Sequence, residues 1–375
     1  MSEGKAMLVN GQCNVLKEHC VKSDYAALYY MNRRDFVRKL RCLEESEVLR
    51  QQMGEKGRRY VQENYDWKII IGRMRSAIQA LSYNIRKAMQ KEKVAFVVVR
   101  YGKNINGGAE YHCQMLAERL VEDYDVEVLT TCVRDVATGE NTYPEGTEEW
   151  NKVLVRRFRT NPIQHEKERC FAKKAKPARK LRQFLFKLGI LKYLSYLFPV
   201  WSYKNDLEVQ AMNSDKFYSS ALNEYIREHV DEYKAFIAMS SDYVTFYYTA
   251  LYAGRKTIAI PTMHNMGISF RSVLTSAFSK IAYVGFNTGE EQRLAENILG
   301  KALGAHGILS VGIEESLSAD WALTKEKFQL PERYLLYIGR ITPKKIHRLL
   351  TYFVNYKKKY SDSTLRLVLV GGLAM

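Results

Sequence analysis

Carboxylates are in short supply: 41 Asp and Glu stand against 58 Lys and Arg, a net charge of +17 over 375 residues. A surplus of that size points to an anionic partner surface. Cysteine is scarce too, with six residues and no C-x-x-C pair. That excludes the usual zinc spacings, so no metal is expected, and together with the lack of a leader pattern it suggests a reducing, cytoplasmic setting. No apolar run reaches the roughly 18 residues that a membrane-spanning helix needs. No helix-turn-helix, zinc or single-strand-binding pattern accompanies the basic residues, which argues against nucleic acid.

What the chain does have is enough apolar residue, 46%, to bury the cores of about two domains. The stretch that organises it is residues 93–120, KVAFVVVRYGKNINGGAEYHCQMLAERL. Residues 94–99 read as a strand buried on both faces, and 100–106 as a loop. Gly107 and Gly108 let the backbone turn and approach a ligand. Glu110, Cys113, Leu116, Ala117 and Leu120 then recur at helical spacing, so the unpaired N–H groups of a helix start face the loop, as a phosphate site requires. Tight strand-to-helix packing would use the same glycines. Further apolar runs at 126–130, 153–158, 235–238, 257–261 and 284–288 alternate with helical patterns. That alternation predicts an α/β fold with a doubly wound parallel sheet, and the ligand site of such a sheet lies at the carboxyl ends of its strands. His264 stands at one such end, in Thr262-Met263-His264-Asn265. Glu290 and Glu291 read as the acidic first turn of a helix.

Three groups of residues carry a family likeness: GGAE with its flanks at 107–110, the FNTGEEQRLA run at 286–295, and Gly339-Arg340 followed by Lys345. With the spacing of Gly57, Tyr60, Val61, Tyr65 and Trp67, they resemble retaining glycosyltransferases of the GT-B fold, family four. The resemblance implies two Rossmann-like domains and transfer of a sugar from a nucleotide-sugar to a glycan or lipid-linked acceptor, without a cofactor. It implies that His264 contacts the donor sugar, that Gly107, Gly108 and Glu110 line the site, and that Arg340 and Lys345 neutralise the donor diphosphate. The family's E-x7-E glutamates are expected after Val370, and they are not there. The expected organisation is therefore the end of one C-terminal domain over 1–81, a linker at 82–92, an N-terminal Rossmann-like domain over 93–330 with a basic insertion at 161–200, and the start of a second, truncated domain over 331–375. Such a chain is expected to be inactive alone. The competing reading is a non-catalytic binding or assembly module. A dinucleotide enzyme fits less well, because the loop lacks the full G-x-G-x-x-G run and the second strand has no acidic end.

The basic insertion accounts for much of the charge: residues 152–200 hold 14 Lys and Arg against 2 Asp and Glu. Leu181, Phe184, Leu185, Leu188, Leu191, Leu194 and Phe198 fall on one helical face, flanked by Lys180, Arg182, Lys187 and Lys192. Such a helix either lies in an anionic membrane interface or packs on the core with a solvated basic side.

Overall fold

The computed structural model describes residues 1–81, 91–103, 105, 107–197, 200–313, 320–339, 341–342, 346 and 348–372. It divides into two compact units, Met1–Asp66 with Gly312–Met375, and Trp67–Val311.

The first unit opens with β1 (Met7–Asn10), α1 (Asn14–Lys22), β2 (Ala27–Tyr30), α2 (Arg33–Glu45) and α3 (Glu47–Tyr65). β1 and β2 pair in parallel. Asn32 starts α2 and Ser46 starts α3, each side chain accepting from the backbone N–H three residues on, which satisfies one of the orphan donors of a helix start.

The second unit contains α4 (Trp67–Ala80) and then the main sheet with its helices. Its strands are β3 (Lys93–Val97), β4 (Asp125–Thr131), β5 (Gly146–Trp150), β6 (Val153–Phe158), β7 (Ala235–Met239), β8 (Thr257–Ile260), β9 (Tyr283–Phe286) and β10 (Ala305–Ile308). They lie in the order β10-β9-β8-β7-β3-β4-β6-β5, all parallel except the edge strand β5. That hairpin partner was not expected, because GTEEW has no apolar alternation and is largely exposed. The inner strands are apolar on both faces because both are covered. Val94, Phe96 and Val98 pack with Ile70, Met74 and Ile78 of α4 and with Leu116 and Leu120 of α5 (Gly108–Leu120). Ala95 and Val97 turn the other way, toward Leu222 and Ile226. This is the doubly wound arrangement. The helix over Trp67–Ala80, expected with the first module, belongs to this sheet instead, because its apolar stripe completes the core over β3. Most of the expected linker, 82–90, lies outside the described residues.

Between β6 and β7 run α6 (His165–Lys187), α7 (Leu191–Leu194), α8 (Asn205–Asn213) and α9 (Ser220–Glu228); α10 (Val244–Ala253), α11 (Ser272–Phe278) and α12 (Gly289–Leu299) follow β7, β8 and β9. The basic segment corrects the expectation for its apolar stripe. Leu185 packs on the core and Leu191 is buried, while Leu181, Phe184 and Leu188 are exposed. Arg182, expected on the outside, is wholly buried. α6 buries Ala175, Ala178 and Arg182, and Arg182 Nη2 donates to Thr275 Oγ1 at 2.7 Å, so only one edge of the stripe meets the core. Phe198 lies outside the described residues.

The chain then returns to the first unit with α13 (Trp321–Lys327), β11 (Tyr334–Ile338), α14 (Leu349–Lys359) and β12 (Arg366–Val370). β11 and β12 form a two-stranded parallel sheet of their own. Phe36, Val37 and Leu40 share a core with Tyr356 and Leu365, so the two ends of the chain fold together. Glu44 is buried between them, and both Tyr356 and Ser363 donate to it.

Candidate functional site

In the main sheet the chain moves outward through β4 and β6 on one side of β3, then outward through β8, β9 and β10 on the other side of β7. Connections therefore leave β3 and β7 in opposite directions, and a crevice opens at their carboxyl ends. A cavity of about 320 Å³ lined by Lys91, Tyr124 and Lys152 lies at the opposite edge, by the amino end of β4, where this architecture does not bind ligands.

The loop after β3 reaches α5 through Gly107, whose backbone is extended at φ −176°. The two glycines serve different ends. A Cβ on Gly107 would lie 1.9 Å from Glu110 Oε2, whereas one on Gly108 would meet nothing within 4 Å. The first glycine makes room for a side chain of the protein; the second leaves the helix start open. Glu110 is itself buried and accepts from Arg100 Nε at 3.0 Å and from Nη2. Arg100 Nη1 in turn donates to the Arg134 carbonyl at 3.0 Å. Glu110 thus ties the β3 loop to the helix start, and acts as a positioning group.

At the ends of β7 and β8 two non-glycine residues adopt left-handed backbone, Ser240 at φ 60° and Thr262 at φ 51°. Residues in that region carry strain that the surroundings must hold. Here they hold each other: Ser240 Oγ and Thr262 Oγ1 are 2.9 Å apart, and Ser241 N donates to the Pro261 carbonyl at 2.8 Å. His264 follows on this loop with its ring exposed, and its carbonyl accepts from Ser269 Oγ at 2.6 Å. Below it Glu291, in the first turn of α12, accepts from Met263 N at 2.7 Å and from Asn287 N at 2.8 Å. It joins the loops after β8 and β9, and burial pushes its carboxyl up to about 7. This is a larger role than the helix-charge pattern expected for it.

Beside these loops is a cavity of about 260 Å³. Asp242 and Tyr243 come to it from the end of β7, Arg271 from the start of α11, Glu168 from α6, and Asp215 and Phe217 from the turn after α8. Burial raises the carboxyls of Glu168, Asp215 and Asp242 above the ordinary range and lowers Arg271. Asp242 also feels Arg271 and His264, and Tyr243 feels Glu110 and Arg100. Ile268 and Arg271, which follow His264 after β8, also line the cavity, and β7, from whose end Asp242 and Tyr243 come, pairs with β3. Asp242 Oδ1 is buried with no hydrogen-bond partner among the described residues. Phe217 and Tyr243 meet edge to face, 5.3 Å between ring centroids. Carboxylates beside aromatic rings suit a polyhydroxylated ligand, whose hydroxyls donate to the first and whose C–H faces pack on the second.

Gly107, Gly108, Glu110 and His264 thus fall on one edge of the sheet. Arg340 and Lys345 lie outside the described residues. Sequence reasoning missed Glu168, Asp215, Asp242 and Arg271. Asp242 carried the same signal as His264, a polar residue just past a buried strand. Glu168 comes from the insertion, Asp215 from the turn after α8 and Arg271 from a helix start, where nothing in the local pattern marks them. Among the described residues no group of three or more His, Cys, Asp or Glu could hold a metal ion.

No family model matches the chain, and no curated protein does. Among solved structures it is similar to sucrose-phosphate synthase from Thermosynechococcus elongatus, at 12% identity over 76% of this chain and 71% of that one, with a TM-score of 0.41. It is also similar to alpha,alpha-trehalose 6-phosphate synthase from Burkholderia multivorans, at 9% identity over 75% of this chain and 65% of that one, with a TM-score of 0.42. A likeness of that degree carries no argument about substrate.

Proposed function

We propose that this chain is a GT-B glycosyltransferase of the retaining, family-four kind, which moves a sugar from a nucleotide-sugar to a glycan or lipid-linked acceptor at a membrane surface. The observation that carries the reading is the cavity of about 260 Å³ at the carboxyl edge of β7 and β8, with the unpartnered Asp242 Oδ1 in its wall. In this reading the cavity takes the acceptor, and Asp242 accepts a hydrogen bond from the hydroxyl that is to be glycosylated. The open helix start at Gly108 and the exposed His264 face the donor. The leaving diphosphate is neutralised by Arg340 and Lys345, with preorganised positive charge in place of a metal. The exposed side of α6 equally favours a second reading, a binding or assembly module that holds a saccharide and docks without turnover.

Saccharide binding tests the site without requiring turnover. Saturation-transfer NMR with mono- and disaccharides should show transfer to at least one of them, and Asp242→Ala should weaken that binding about tenfold or more, the loss of one hydrogen bond to a charged group. No saccharide contact, or contact indifferent to Asp242, would sink the assignment.

A further inference from the structure

The second half of α6, the turn after it and α7 present a surface that the fold itself does not use. Their rotation is fixed from the inside: Arg182 donates to Thr275, Leu191 is buried, and Ser195 Oγ donates to the Leu299 carbonyl at 2.6 Å. What remains outside is apolar. Phe184, Leu188, Tyr193 and Leu197 are each more than half exposed, with Tyr196 at one half and Leu181 beside them. The turn at Gly189, φ 73°, has open space around it. Lys173, Lys174, Lys176, Lys180 and Lys187 are exposed along the same segment, and from Arg169 to Asn205 there is not one Asp or Glu.

An ordinary solvated basic helix turns its apolar residues inward. This one turns Leu185 inward and leaves a second apolar set in water, at a cost that covering would recover. A protein partner with a mixed surface would need carboxylates to meet its own cations, and this face has none to offer. A sheet of anionic headgroups over acyl chains matches both parts, since leucine and aromatic side chains enter the acyl boundary while lysines stay at the headgroups.

We propose that the face made by Leu181, Phe184, Leu188, Tyr193, Tyr196 and Leu197, rimmed by Lys180 and Lys187, docks on an anionic phospholipid bilayer. It deepens the membrane side of the function above and rests on that reading only for what the membrane would supply, a lipid-linked acceptor. Arg182, which the spacing alone would enlist, has no part in it.

The test is co-sedimentation of the full chain, without any donor, with vesicles of phosphatidylglycerol and phosphatidylcholine and with phosphatidylcholine alone. Binding is expected on the anionic vesicles only and should weaken as salt rises. K180E/K187E should weaken it by about thirtyfold or more, the equivalent of two lysines at an anionic leaflet. F184S/L188S, both positions exposed, should weaken it similarly while leaving the circular dichroism and any saccharide binding unchanged. Equal binding on neutral vesicles, no binding at all, or binding that survives F184S/L188S would overturn the proposal. So would a concentration-dependent dimer that F184S/L188S abolishes, which would assign the face to a second copy. Saccharide binding by Asp242 is read separately, so either reading can fail without the other.

Discussion

Two adjacent glycines give a sharp test, because their replacement by alanine should have opposite consequences. In Gly107→Ala the new Cβ would sit 1.9 Å from Glu110 Oε2, well inside contact distance, so the carboxylate must move. It is the far end of a flexible side chain, but it is not free to move without loss: it is buried and accepts from two nitrogens of the buried Arg100. Leaving a buried charged group poorly paired costs about 2–3 kcal/mol. For a unit of this size that lowers Tm by about 4–12 °C. In Gly108→Ala the methyl group meets nothing, and the site is already helical, so the loss of unfolded-state entropy makes the change neutral or stabilising by up to about 1 kcal/mol. If the open helix start faces a ligand, however, that methyl group stands in its way, and ligand binding should fall although stability does not. Thermal unfolding followed by circular dichroism, together with nucleotide and saccharide titrations of both variants, separates the effects. A Gly107→Ala protein as stable as the parent would refute the packing argument. A Gly108→Ala protein that binds every tested ligand as the parent does would refute the site.

Three further outcomes are expected. Glu291 is held up to about 7, above an unfolded glutamate, so between about pH 4.3 and 7 the native state keeps a proton that the unfolded chain has lost; stability should fall as pH rises through that window, by up to about 4 kcal/mol, and Glu291→Gln should flatten the profile measured by urea unfolding. Arg182→Glu places a second buried carboxylate near Glu208 and removes the donor to Thr275, so it should cost about 3–5 kcal/mol and yield little folded protein, whereas charge reversal at exposed Lys180 should leave Tm within about 2 °C. Glu44→Ala removes the acceptor of Tyr356 and Ser363; it should cost about 2 kcal/mol, and limited proteolysis should then cut within residues 348–372 faster than in the parent.

The fold could be read from the sequence wherever burial alone decides it. The strand runs at 94–99 and 235–238 are apolar at consecutive positions because α4 and α5 cover one face of the sheet and α9 covers the other, as expected of parallel strands buried on both faces. Where the neighbour matters more than the pattern, reading failed. β5 is a strand because β6 offers it an edge, and its own sequence gives no hint of this. The helix at 67–80 has an apolar stripe that fits any core, so its periodicity announced the helix without saying which sheet it covers.

The same distinction explains the basic segment, and it decides how much of the site was legible. Helical periodicity places Leu181, Phe184, Leu185 and Leu188 within one broad arc, but an arc has two edges, and the core needs only one. The edge that includes Leu185 is the one turned inward, with Arg182 beside it, which sets an arginine inside and a phenylalanine outside, against the usual preferences of both residues. Glu168, one helical stretch earlier on α6, is carried to the cavity wall by the same rotation. One buried cation thus orients the helix for both surfaces: a change that lets α6 turn should disturb the cavity at Glu168 and the apolar face at Phe184 together, while substitutions confined to either surface should leave the other intact. Thr275→Val removes the hydroxyl that accepts from Arg182 with little change in shape, and is the mildest way to impose that turn. Reduced saccharide binding and reduced vesicle binding in this single variant, against a Phe184→Ser control that loses only the second, is the expected result; loss of neither would show that α6 is held by its apolar contacts alone.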